Sequence, residues 1–322
     1  MAPFRPMFLA SAIILAAFAS SPRAVRASEG GVIKVVLPVP PGGAGDIIAR
    51  LLTDQVGQLS NRRFVIETRP GAGTMIGTEA VARSPADGNT LLINAPFLLI
   101  GPHLRKLTFD PLVSLDPVCY LVSSPGVLAV NAASPYHTFA DLMQAVRSRP
   151  GQITFASAGP GTTHHIGFER LKRDSGLDFI YVPFPGGGPA INALLGNHVT
   201  AVLAEYAPLS PNLKAGTLRP LAVTSTARVP SLPDVPTIGE SYPGFEVDFW
   251  WGLFAPAHTP EVFVSQLAEW FTAVMQQPAL KAKLNDLGFF PAAICGQDFA
   301  ALLRKQSDDY GRVIRGANIR AD

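Results

Sequence analysis

Three segments of this chain join a short apolar run to a helix start through a glycine-rich turn: Pro38–Asp46 (PVPPGGAGD), Pro70–Thr74 (PGAGT) and Ser157–Thr163 (SAGPGTT). A helix start leaves backbone N–H groups without intrahelical partners and carries a partial positive charge, so it can hold an anion. One such turn is equally well explained by chain geometry, because Gly and Pro also make tight turns. Three in one chain favour anion binding by backbone groups.

Rival chemistries fit these residues less well. Gly71-Ala72-Gly73 reaches its next glycine only at Gly77, one residue too far for a dinucleotide fingerprint, and no acidic residue is placed to hold a ribose. No G-x-x-x-x-G-K-[ST] phosphate loop occurs. Phe155-Ala156-Ser157-Ala158-Gly159 approaches a nucleophile elbow, but Phe155 stands where the first glycine belongs. His164 and His165 lie nearby in sequence, yet a catalytic triad is defined by geometry and not by adjacency. Neighbouring helix positions point about 100° apart, so this pair does not suit one metal ion, and CxxC and HExxH are both absent. One histidine facing a cleft and the other packing is the simpler expectation. No cofactor, metal or covalent chemistry is expected.

The elements that must carry these turns follow from apolar spacing. Ile33–Leu37, Phe64–Glu67 and Leu91–Ile93 read as strands. Asp46 reads as the N-cap of a helix with Ile47, Ile48, Leu51, Leu52 and Val56 on one stripe, and Thr74 as the cap of a helix to about Ala82. Strand, loop and helix twice over make a βαβαβ unit, and continuous apolar strands suit a parallel sheet covered on both faces. A second unit follows. Strands are expected at 126–130, 153–156, 179–182, 199–203 and 218–224. A capping box at Thr138–Asp141 starts one helix, a second runs over 162–174, and Pro189 lies in the first turn of a third. After a proline-rich stretch, Pro230 to Pro243, come a strand at 249–255 and helices at 260–276, 278–287 and 298–315. Trp250 and Trp251 read as core or hinge packing, and Glu205 and Tyr206 close a strand that could face a cleft. The expected fold class is α/β: two βαβ domains, with lobe 1 from 28–128 and 245–322 and lobe 2 from 129–244. Two crossings between lobes imply a hinge and an inter-lobe cleft.

Composition supports a folded and exported chain. Of 322 residues, 48% are hydrophobic and 16% charged, against about 25% charged in soluble proteins. Three of the 26 basic residues and none of the 24 acidic ones precede Ser28, which leaves 23 against 24, a net charge of −1 for the remainder. That balance offers no footprint for nucleic acid. Arg5 is followed by the apolar run Met7–Ala19, shorter than the roughly 20 residues a spanning helix needs. Residues 1–27 read as a secretory signal peptide, with cleavage after Ala17-Phe18-Ala19 or after Val25-Arg26-Ala27. Periplasmic location and a soluble monomer are expected. Export permits a disulfide between Cys119 and Cys295, the only cysteines; their apolar neighbours favour two small buried side chains.

The chain resembles the Bug-type receptors of tripartite tricarboxylate transporters over nearly its whole length after the signal. The resemblance rests on LPVPPGGAGDIIAR (37–50), TRPGAGTMIG (68–77), ADGNTLL (86–92), FASAGPGTTHHIG (155–167), VPFPGGGPAINALLGNHV (182–199), LAVTSTAR (221–228), LPDVPTIGE (232–240) and FWWGLFAPAHTP (249–260). It implies a two-lobed periplasmic binding protein, type II-like, that closes on a small carboxylate or amino-acid ligand and serves the membrane subunits of a tripartite transporter. The ligand contacts implied are Pro41, Gly42, Gly43 and Asp46 in the first lobe. In the second they are Ser157, Gly159, Gly161, Thr162 and His165, with Ala204 and Glu205 at a strand end. Two departures touch specificity. Phe184-Pro185-Gly186 stands where the family has Tyr-Lys-Gly, and Ala204 where it often has Asp. A distal ligand end that is less acidic, more apolar or an amine is therefore expected. A sensory receptor for a membrane kinase would use the same site, and an exported hydrolase would use Ser157 and a histidine.

Overall fold

The computed structural model describes Met1, residues 31–247, residues 249–316 and Ile319. The signal peptide expected over 1–27, with both cleavage sites, lies outside the described residues apart from Met1. In chain order the first elements are β1 (Val32–Leu37), α1 (Ala44–Ser60), β2 (Arg63–Thr68), α2 (Met75–Ala82), β3 (Thr90–Asn94), α3 (Phe97–Leu104), α4 (Pro111–Ser114) and β4 (Leu115–Ser123). Next come β5 (Gly126–Asn131), α5 (Phe139–Ser148), β6 (Thr154–Ser157), α6 (Thr163–Ser175), β7 (Ile180–Pro183), α7 (Gly187–Leu195), β8 (Ala201–Glu205), α8 (Tyr206–Lys214) and β9 (Leu218–Val223). The chain ends with β10 (Trp250–Pro256), α9 (Glu261–Gln276), α10 (Pro278–Asp286), β11 (Phe290–Cys295) and α11 (Gly296–Gly316).

These elements build two sheets, ordered β11-β4-β10-β3-β1-β2 and β7-β6-β8-β5-β9. Each has its own core. In the first lobe Ile48, Leu52 and Val56 of α1 are fully buried against Val35, Leu37 and Leu91 of the sheet and Phe271 of α9. Each such side chain contributes roughly 1.5–3 kcal/mol by leaving water. In the second lobe Phe155, Phe168 and Phe179 form an aromatic cluster with centroids 4.2–5.8 Å apart.

Both sheets are mixed rather than parallel. β1 pairs in parallel with β2 and β3, but β10 runs antiparallel to β3 and β4. The reason is topological: β4 carries the chain out to the second lobe and β10 carries it back, so the two must oppose each other. The crossings lie side by side. Ser124 N donates to Phe249 O (2.7 Å), Gly126 N donates to Thr224 Oγ1 (3.1 Å), and Thr224 Oγ1 donates to Val247 O (3.0 Å).

Several boundaries differ from expectation. The second sheet already begins at Gly126, inside the segment assigned to lobe 1, because β5 pairs with β8 and β9 along its whole length. Phe245, Val247 and Phe249 likewise bury into the second core although 245–322 was expected in lobe 1. The helix expected to be capped by Asp46 starts three residues earlier, with Gly43 as N-cap and Asp46 in its first turn. Thr74 is an N-cap, but at φ 77° and without a side-chain capping bond. The Thr138–Asp141 capping box forms in both directions, Thr138 Oγ1 accepting from Asp141 N (3.1 Å) and Asp141 Oδ2 from Thr138 N (2.8 Å).

The two cysteines are bonded to each other and are not separate buried hydrophobes. Cys295 in β11 registers opposite Cys119 in β4, so sheet pairing brings together residues 176 apart in sequence. Closing so long a loop is worth up to about 5 kcal/mol in the chain-entropy model. Cys295→Ser is therefore expected to lower the melting temperature by several degrees, and dithiothreitol should lower the wild-type value toward that of the variant. Gly45 is a second constraint: a Cβ there would fall inside contact distance of the Trp251 six-membered ring. Gly45→Ala should cost about 1–3 kcal/mol through overpacking, read as a lower midpoint in urea.

Candidate functional site

In both sheets the parallel strands end at the same edge, and in open α/β sheets ligand sites lie beyond the carboxyl ends of strands. Here the loops after β1 and β2 from one lobe meet those after β6, β7 and β8 from the other. Between them lies a cavity of about 430 Å³, within the usual range for small-molecule sites. The N-cap residues of five helices line it: Gly43 of α1, Thr74 of α2, Thr162 of α6, Gly186 of α7 and Glu205 of α8. No Lys or Arg lines the cavity among the described residues; its only ionisable side chains are Glu205 and His164. Backbone dipoles at these helix starts therefore contribute positive potential to this space.

The expected contacts divide into lining and supporting residues. Pro41, Gly43, Thr162 and Glu205 line the cavity; Gly42, Asp46, Ser157, Gly159, Gly161, His165 and Ala204 do not. Asp46 shapes the first loop instead. Its carboxylate accepts from Gly42 N (3.2 Å) and from Arg50 Nε (2.8 Å), fixing Gly42 in the left-handed conformation, φ 84°. The second loop is held similarly. Thr162 Oγ1 donates to Gly159 O (2.7 Å) and accepts from His165 N (3.3 Å), while Gly161 N donates to His165 Nδ1 (3.2 Å). The His165 ring stacks on Tyr181, centroids 4.4 Å apart and planes 8° from parallel. Ala204 sits in β8 with its side chain in the second core. Ser157 is fully buried, its hydroxyl donating to Tyr181 Oη (3.2 Å). Burial pushes the Tyr181 phenol up to about 12, against the lowering effect of its hydrogen bonds to Ser157 and Gly159. A serine so placed cannot meet a substrate in the cavity, which removes the structural basis of the hydrolase reading.

His164, rather than its neighbour His165, lines the cavity. Its Nε2 lies 2.9 Å from Glu205 Oε2, and both side chains are almost wholly buried. Burial by itself would raise the Glu205 carboxyl, but the charge and hydrogen bond of His164, with the Glu205 backbone N–H, outweigh it and hold the group below the usual carboxylate range. An ionised carboxylate only accepts, so His164 Nε2 carries the proton of this bond. The imidazole lies 4.6 Å from the Phe249 ring and 6.5 Å from Phe97 across the cleft. His164 Nδ1 and Trp251 Nε1 are buried without a hydrogen-bond partner.

The lobes touch around this cavity. Pro40 Cγ lies 3.5 Å from where a Cβ on Gly186 would stand, and Leu104 of α3 occupies the space a Cβ on Gly161 would need, 2.7 Å away. Behind the loops Ile100, Ile166 and Ile314 form a small apolar cluster joining α3, α6 and α11.

Sequence reasoning missed three contributors. Pro185–Pro189 supplies a fourth glycine-rich loop, visible in the sequence as PFPGGGP but not counted with the other three. Phe97 begins α3, a helix hidden by its uniformly apolar sequence FLLIGPHL. The start of α8 at Glu205 was masked by Pro208 and Pro211.

The depressed Glu205 value gives a pH prediction. A carboxyl whose folded value lies below its unfolded one stabilises the protein fully above the ordinary value of 4.5, and that increment is lost as the pH falls through the folded value. Glu205→Gln should therefore melt below wild type at neutral pH, and the gap should shrink as the pH falls below about 4.5 in a series of melting curves.

The chain matches the family model of the tripartite tricarboxylate transporter family receptor over residues 48–319. A curated relative from Pseudomonas sp. (strain P51), a UPF0065 protein in the tcbD-tcbE intergenic region, is 34% identical over 94% of this chain and 91% of its own. Among solved structures, the R. palustris protein Rpa4515 with adipate is 30% identical, with TM-score 0.86 over 89% of this chain and 97% of that one. The periplasmic binding protein BugD is 29% identical, with TM-score 0.84 over 90% and 99%.

Proposed function

Because the chain belongs to the tripartite tricarboxylate transporter receptor family, a family of solute receptors rather than enzymes, we propose that it captures a small carboxylate between its lobes in the periplasm. It then presents the loaded lobes to the membrane subunits of such a transporter. The observation that carries this reading is the meeting of five helix N-termini at one cavity that no Lys or Arg lines among the described residues. The N–H groups at the starts of α1, α2 and α7, which no side chain caps, suit the oxygens of a carboxylate. Proline and aromatic walls such as Pro40, Pro70, Phe97 and Trp251 suit an apolar ligand body.

Other features support the location and the partner. The leader at 1–27 has the pattern of a secretory signal, and the Cys119–Cys295 bond suits an oxidising compartment. Among the described residues no helix is long and apolar enough to cross a membrane. A structural relative carries adipate, a dicarboxylate.

Trp251 lines the cavity, so occupancy should alter indole fluorescence. Titration of the purified receptor with a panel of mono- and dicarboxylates and amino acids is expected to give saturable quenching and a raised melting temperature with at least one member, and neither with matched alcohols. If no carboxylate moves either signal, the reading fails.

A further inference from the structure

Building on the carboxylate reading, we infer that the cavity selects a monocarboxylate whose far end is a protonated amine and discriminates against dicarboxylates, with Glu205 as the selecting residue. The cavity is electrically two-sided. Backbone N–H groups at the starts of α1, α2, α6 and α7 supply positive potential. The start of α8 is different, because its N-cap is itself a carboxylate. Glu205 lines the cavity while only 6% exposed, and it is the only acidic side chain to do so among the described residues. Its carboxylate makes no capping bond to that helix start and is held instead by His164 at the cavity wall.

The surroundings keep that charge in place. His164 donates one hydrogen bond to Oε2 and holds the carboxyl ionised. A carboxylate has about four acceptor sites; His164 and the Glu205 backbone leave capacity for a ligand donor. Phe97 and Phe249 flank His164, and Trp251 is buried in the same wall, so water screens this corner poorly. A second ligand carboxylate placed here would abut the buried Glu205 carboxylate, an unfavourable like-charge contact. A plain alkyl end would leave Glu205 with its capacity unused. An ammonium would meet both its charge and its free lone pairs.

The test compares ligands on matched frames by isothermal titration of the full folded receptor: 4-aminobutanoate, butanoate and succinate; 6-aminohexanoate, hexanoate and adipate; 4-(aminomethyl)benzoate, 4-methylbenzoate and terephthalate. On at least one frame the amine should bind about tenfold or more tighter than both partners. In Glu205→Gln, a near-isosteric change checked for folding by circular dichroism, that preference should fall to within about threefold, with the dicarboxylate gaining most. The wild-type ranking stands as a test even if the variant does not fold. The inference is overturned if a dicarboxylate or plain acid binds as tightly as the amine on every frame, or if a folded Glu205→Gln receptor keeps the wild-type ranking. Binding led by the dicarboxylates would overturn it while leaving the carboxylate reading intact. No binding by any of the nine acids would overturn both.

Discussion

The unsatisfied N–H groups at helix starts are the constraint on which this structure turns. Every helix leaves its first N–H groups without an intrahelical partner, and most proteins hide the problem with side-chain caps or water. Here the caps of α1, α2, α7 and α8 make no side-chain capping bond, and all four face the cavity with the Thr162-capped α6. The order β2-β1-β3 in one sheet and β7-β6-β8 in the other exists in parallel pairs that bring those starts to the same side. Glycine and proline in the connecting loops keep side chains from filling the space between.

Rigidity comes from what surrounds those loops. Asp46 and Thr162 satisfy the turns from inside, so the backbone groups are held before a ligand arrives and less ordering entropy is lost on binding. Gly45 admits the Trp251 ring at the root of α1, tying the first loop to β10, the strand that returns from the second lobe. The Cys119–Cys295 bond fastens the outgoing strand β4 to β11. The crossing itself is held by a few hydrogen bonds of the Thr224 hydroxyl to backbone groups, the kind of short connection where lobes can turn.

Much of the fold was legible because it depends on local order. The β1-α1-β2-α2-β3 unit followed from apolar spacing, and the Thr138–Asp141 capping box from a four-residue pattern. The uniformly apolar α3 and the proline-interrupted α8 were not legible, since neither has a helical stripe. Strand direction failed at β10 because periodicity carries no information on pairing sense. Within the site the loops were readable, but the division into lining and supporting residues was not. His164 and His165 are adjacent in sequence, and only the turn of α6 against Glu205 and Tyr181 decides which one reaches the cavity.

The sequence by itself determined the class of protein: two α/β lobes, glycine-rich helix starts and no basic surplus after residue 27. These are properties of short windows and of counts. The tertiary structure decided what lies opposite what. It paired cysteines 176 residues apart, aligned five helix starts on one cavity and buried Glu205 against His164, 41 residues away. A buried charge takes its energy from its neighbours in space, so the character of this cleft becomes readable only once the chain has folded around it.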